Sequence, residues 1–165
     1  MISDHEDPAF HRKLNNSVFP GTCSSYHLHH VAGKAVALSE FEAFGERYAR
    51  DIVSNAKALA QSLASRGFDV LAEDRGYTAS HQVLTRHGEN DTGAGKKAAI
   101  TLEQAGIITN MNMLPGDTKA LSPSGLRLGV PELTRLGMGV DEMDQVGEFF
   151  QKVLCLLYTS PSPRD

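Results

Sequence analysis

Arg127 lies in the short apolar run Leu126-Arg127-Leu128, between Gly125 and Gly129, with Pro131 close behind. An arginine in an apolar strand is costly to bury unless an anion meets it. A guanidinium fork suits a carboxylate, because two parallel N–H···O bonds fix orientation as well as charge. Arg127 is therefore the candidate for gripping a substrate carboxylate. The alternatives are a pair with an internal Asp or Glu, or projection to solvent from an edge strand. His27, His29 and His30 form a second cluster, HLHH, in which His27 and His30 can share a helix face. Zinc takes three or four ligands in fixed geometry, and no second cluster is obvious, so no metal site is expected. The residues 88–97, GENDTGAGKK, brush against a phosphate-binding loop, but Gly95-Lys96 is followed by lysine where Ser or Thr is required. These glycines read as a flexible loop before a helix.

The elements that must position these residues follow from periodicity and punctuation. Residues 1–13 read as a polar lead-in that Pro8 keeps from being helical, and 15–22 as a loop around Pro20-Gly21. A long helix is predicted from His27 to about Phe44, with Leu28, Val31, Ala32, Ala35, Val36, Leu38 and Phe41 at helical spacing. A second helix from Gly45 to about Ser65 carries Tyr48, Ile52, Ala56, Leu59, Ala60 and Leu63 on one face, and Gly67 stops it. Strands are predicted at 68–71, 81–84, 107–109 and 126–128. Thr92 is placed to cap a helix reaching Gln104. Pro131 opens a short helix that Gly137 ends, and a last helix covers 141–154 with Met143, Val146, Phe149, Phe150 and Val153 inward. This order predicts an α+β sandwich, a small and mostly antiparallel sheet covered by helices. The domain reading is 1–26 as lead-in and loop, 27–154 as long helix and small domain, and 155–165 as a tail outside the domain.

Composition narrows the class. Of the 165 residues, 41% are hydrophobic and 22% charged, an ordinary globular balance. A net charge of −4 without a basic block argues against nucleic acid as partner. No apolar run approaches the roughly 20 residues of a membrane span. The N-terminal MISDHEDPAF lacks a signal-peptide core. Cys23 and Cys155 form neither a disulfide framework nor a C-x-x-C pair, which fits a reducing, cytoplasmic setting. The Ser/Pro-rich tail CLLYTSPSPRD resembles translated read-through of a sequencing adapter.

Ser124-Gly125-Leu126-Arg127-Leu128-Gly129-Val130-Pro131, followed by Thr134-Arg135-Leu136-Gly137, resembles the S-G-[IL]-R-[IL]-G-x-P…T-R-x-G signature of the serine hydroxymethyltransferase family. Other blocks agree in order: Leu14 to Gly21, His29 with Ala32 to Ala37, Asn55 to Ala60, Arg66 to Val70, and Ala105 to Ile107 through Asn110, Asn112 and Pro115. The resemblance covers about Leu14 to Leu154 and is to the later part of such an enzyme. It implies the C-terminal small domain of a pyridoxal-phosphate-dependent transferase of the aspartate-aminotransferase-like fold (fold type I).

By this resemblance the parent enzyme interconverts serine and glycine, moving a one-carbon unit to tetrahydrofolate, and Arg127 binds the carboxylate of the amino acid. Ser24 and Ser25 stand where the family has paired glycines, in a loop whose amides touch the cofactor phosphate across a dimer; Ser25 could instead cap the helix. Asn110 and Asn112 match the family's N-x-N, which puts Asn112 toward the folate, although asparagines equally favour turns. Met111 replaces the usual basic residue between them, and Ala79-Ser80 replaces the Asp-Asn before His81. Arg135 is expected to make structural hydrogen bonds. The family's Schiff-base lysine lies in a T-H-K block that these residues do not contain, and Lys13 and Lys34 stand in the wrong context. The chain is therefore expected to be an inactive C-terminal fragment of a homodimer or homotetramer that contains pyridoxal phosphate. A transaldolase or methylserine-type transferase is the related alternative, and a non-catalytic dimerisation or binding module is the other.

Overall fold

A computed structural model describes residues 6–25 and 27–159, with side chains to Cys155. The first five residues and 160–165, which the domain reading placed in the lead-in and the tail, lie outside the described residues. The chain divides into two compact units, Met1–Ala43 and Phe44–Asp165.

In the first unit, α1 spans Pro8–Val18. Pro8 opens this helix rather than preventing one. Its missing N–H falls where a helix has no partner for it, and the Asp7 carboxylate accepts from the Ala9 amide at 2.8 Å. The predicted loop at 15–22 therefore shrinks to the turn beyond Val18. The long helix α2 spans Leu28–Ser65, with residues 28–43 in the first unit and 44–65 in the second. The sequence pattern divides it at Gly45, yet the helix passes through. A single glycine costs only about 1 kcal/mol against alanine in a helix, too little to break one this long.

The second unit holds a four-stranded antiparallel sheet: β1 (Asp69–Val70), β2 (Gln82–Arg86), β3 (Asn110–Asn112) and β4 (Gly125–Gly129), in the order β1-β2-β4-β3. Period-two alternation sorts its faces. Val83 lies opposite Leu128 and Thr85 opposite Leu126, all four buried. On the other face, Arg127 lies opposite Leu84 on one side and Asn110 on the other. The buried face joins Ala56, Leu59, Ala60 and Leu63 of α2, Ala98 and Leu102 of α3 (Ala94–Gln104), and Met143 and Phe150 of α5 (Val140–Thr159) in one core. Each large aliphatic side chain buried there contributes about 1.5–3 kcal/mol.

Specific contacts fasten the helices. Ser62 Oγ donates to Asp144 Oδ1 at 2.8 Å, and Arg66 meets both Asp144 oxygens at 2.7 and 3.1 Å. A Cβ at Gly147 would overlap Ser62 Oγ, so glycine is what lets α5 approach α2. The buried Asn55 donates to Thr134 Oγ1 at 3.0 Å and to the Met138 carbonyl at 2.8 Å, tying α2 to α4 (Pro131–Arg135) and the turn after it.

Three element predictions are corrected. The strand expected at 107–109 forms at Asn110–Asn112, because the Ile107 amide donates back to Leu102 at 2.8 Å to end α3 and leaves Ile108 87% exposed. Thr92 does not cap α3: Gly93 holds the cap position and the Thr92 hydroxyl donates to the Glu89 carbonyl at 2.7 Å. Helix α5 continues past Leu154 to Thr159, into the segment read as tail. Phe149, expected inward, is half exposed.

Candidate functional site

The site is built on β4, an interior strand of the sheet. Leu126 and Leu128 anchor it in the core, and the odd residue between them, Arg127, projects from the opposite face and is exposed. Among the described residues no carboxylate lies within ion-pairing distance of Arg127, which removes the internal pair as its role. Its neighbour is across the ladder. With the Asn110 amide turned so that its oxygen faces the guanidinium, the orientation that satisfies both of its ends, Oδ1 accepts from Arg127 Nη2 at 2.9 Å and Nδ2 donates to the Met111 carbonyl at 3.3 Å. This leaves the remaining guanidinium N–H groups to a ligand and restrains the plane of the fork.

Arg127 and Asn110 line an open cleft of about 710 Å³, with His81, Gln82 and Glu132 as further polar groups and Phe149 and Leu133 in its apolar wall. The volume suits a small-molecule ligand, and a mostly apolar wall with a few convergent polar groups is the usual composition of such sites. Thr109 Oγ1 in the same lining is buried without a hydrogen-bond partner among the described residues.

The loop before β4 is fixed by two aspartates. Asp117 accepts from the amides of Leu114, Ser124 and Asp91, each at 2.9 Å, and from Ser124 Oγ at 2.8 Å. Desolvation pushes its pKa up, but the hydrogen bonds to the ionised form outweigh that and hold the carboxyl well below the usual range. Asp91 accepts from the Thr118 hydroxyl at 2.7 Å and from the amides of Lys119 and Thr118 at 2.7 and 2.8 Å, which lowers its pKa as well. Ser124 is the residue before β4, so this pair sets where the strand, and Arg127 with it, begins. A Cβ on Gly95 would overlap the Gly125 backbone, so α3 closes on the same point because Gly95 carries none, while a Cβ on Gly125 would overlap Leu114 and the Thr85 carbonyl.

The other expected residues stand apart from this cleft. Asn112 is half-buried on β3, with its Nδ2 donating to the Met113 carbonyl at 2.6 Å, and does not line the cleft. Ser24 and Ser25, in the first unit, are exposed and make no hydrogen bond to a described residue. Helix α2 starts at Leu28, so the cap position falls at His27 and Ser25 is not its cap. A second, smaller cleft of about 400 Å³ contains His87, whose pKa burial lowers to about 4 against the opposing charge of Asp69. His87 is thus neutral at pH 7 and serves Thr85, 2.9 Å from its Nε2.

Residues 4–150 match the family model of serine hydroxymethyltransferase. The chain belongs to that family. Serine hydroxymethyltransferases of Thermococcus kodakarensis and Methanopyrus kandleri are 51% and 52% identical to it, in each case over 86% of this chain and 33% of the relative. The chain therefore spans about a third of the length of the curated relatives it matches. A solved structure, L-threonine transaldolase from Pseudomonas fluorescens in its internal aldimine state, superposes with a TM-score of 0.80 at 31% identity, over 92% of this chain and 33% of that one. The α+β small domain of a pyridoxal-phosphate transferase, with its antiparallel sheet covered by helices, is thus the fold this family member adopts.

Two features of the site had weak signals in the sequence. The family-like N-x-N drew attention to Asn112, whereas the register of β3 on β4 puts Asn110 beside Arg127. The Asp91–Asp117 arrangement has no sequence signal beyond acidic residues in turn-rich segments, because the partners of Asp91 begin 26 residues away.

Proposed function

We propose that this chain is the C-terminal part of a pyridoxal-phosphate-dependent hydroxymethyltransferase that interconverts serine and glycine with transfer of a one-carbon unit to tetrahydrofolate. One observation carries the reading: an arginine fork with no carboxylate partner among the described residues, restrained by Asn110 at the edge of a cleft, in a member of this family. Arg127 binds and orients the amino-acid carboxylate. Exposed amides and hydroxyls at Ser24 and Ser25 fit an anion, so these two residues would hold the cofactor phosphate. Pyridoxal phosphate, when bound, supplies the electron sink for breaking bonds at the amino-acid α-carbon. Asn112 faces the folate in this reading. The protein works as a cytoplasmic homodimer or homotetramer, in which the Ser24–Ser25 loop serves the neighbouring subunit. A second reading, favoured by the likeness to L-threonine transaldolase, is a related transaldolase or methylserine-type transferase that keeps the cofactor and Arg127 and changes the one-carbon donor or acceptor.

A chimaera tests both. Residues 14–154 replace the matching third of the Thermococcus kodakarensis relative, and serine cleavage is measured with and without tetrahydrofolate. Folate-dependent cleavage is expected. Arg127→Ala should raise the KM for serine about 10–100-fold, the worth of a charge-assisted fork, and Arg127→Lys should recover only part of it. A folded chimaera that instead transfers from threonine to an aldehyde would support the second reading. A folded chimaera inactive in both assays would leave the chain as a binding or dimerisation module.

A further inference from the structure

We infer that His27, His29 and His30 form a three-nitrogen site for one divalent transition-metal ion of the zinc and nickel class. Sequence spacing puts His27 and His30 on one helix face and leaves His29 aside. The structure gathers all three: one donor nitrogen from each lies within 4.8 Å of the others. The ring centroids of His29 and His30 are 4.1 Å apart, those of His27 and His30 5.4 Å, and those of His27 and His29 5.8 Å. The turn that presents them is itself held, since the amides of His30 and Val31 donate to the His27 carbonyl at 2.9 and 3.2 Å.

Metal–nitrogen bonds of about 2.0–2.1 Å place tetrahedral donors roughly 3.3 Å apart. The three rings need to close by about 1.5 Å from the observed arrangement, and all three are exposed, so rotation about their side-chain bonds is open to them. Imidazole nitrogen suits zinc, nickel and copper over magnesium or calcium. Three protein ligands leave further positions to water or to a ligand, as in an open site. The positive end of α2 opposes a cation there, but at an exposed terminus that repulsion is screened, and three metal–nitrogen bonds exceed it. The inference does not rest on the assignment of Arg127.

Isothermal titration of the chelator-stripped chain with zinc chloride tests it, with nickel as a second probe. One ion per chain is expected. His29→Ala should weaken binding by about tenfold or more, and the double variant His27→Ala/His30→Ala should abolish it. Long-range proton–nitrogen spectra should show three imidazoles shifting together on zinc addition. Circular dichroism on each variant checks that the helix is kept, and all three residues are exposed. Binding unchanged in His29→Ala, binding retained by the double variant, or no binding at millimolar zinc would each overturn the site.

Discussion

In residues 28–43 of α2, Leu28, Val31, Val36, Leu38 and Phe41 are each 59–74% exposed, whereas in residues 44–65 Ala56, Leu59, Ala60 and Leu63 are at most 2% exposed. Both stretches carry apolar residues at helical spacing. What separates them is the presence of the sheet, α3 and α5 over the second stretch, in the core those residues share. Periodicity reports which face of a helix is apolar; only neighbouring elements decide whether that face is dry. The first stretch is a large exposed apolar surface of the sort that invites association.

The largest test of this contrast compares two leucines of the same helix. Leu63→Ala should lower the stability of the chain by about 2–5 kcal/mol, because it leaves a cavity in a closed core. Leu38→Ala, at a residue 65% exposed, should change it by less than about 0.5 kcal/mol. Urea midpoints of the two variants measure both, and equal losses would abolish the distinction. A polar pair repeats the contrast at smaller scale. Asn55→Ala removes one buried and one part-buried hydrogen bond and strands the Thr134 and Met138 acceptors, at about 1–3 kcal/mol. Ser39→Ala removes only a bond to the Ala35 carbonyl on the exposed stretch and should be near neutral in the same titration.

Acid sharpens the picture within the second region. The Asp117 carboxyl is lowered in the folded state, so its contribution is fully present above the ordinary carboxylate pKa, near 4, and is lost as the pH falls below that toward the folded value. Asp117→Asn should therefore lower the Tm at pH 7, and the gap to the parent chain should shrink below about pH 4. A Tm difference that is constant from pH 7 to pH 3 would mean that the carboxylate charge is irrelevant to the loop.

How much of the site was legible follows from the range of the interactions concerned. Arg127 could be singled out because its context is local: two leucines, two glycines and a proline around one charge. That it pairs with Asn110 could not, since a shift of β3 along the chain, such as the three residues back to the predicted 107–109 strand, puts a different side chain opposite. The histidines show the same limit at short range, where helical spacing predicts a pair and side-chain directions gather three.

From the sequence alone came the α+β class, the helix faces and the family-like block around Arg127. All of these are written in nearest-neighbour chemistry: periodicity, punctuation by glycine and proline, and motif spacing. The tertiary structure alone decided which half of α2 is covered, that Asp117 and Asp91 fix the approach to β4, and that Asn110 steadies the arginine fork. Those outcomes depend on groups far apart in the chain. Register, burial and hydrogen-bond satisfaction are properties of the packed molecule, and no local window of residues contains them.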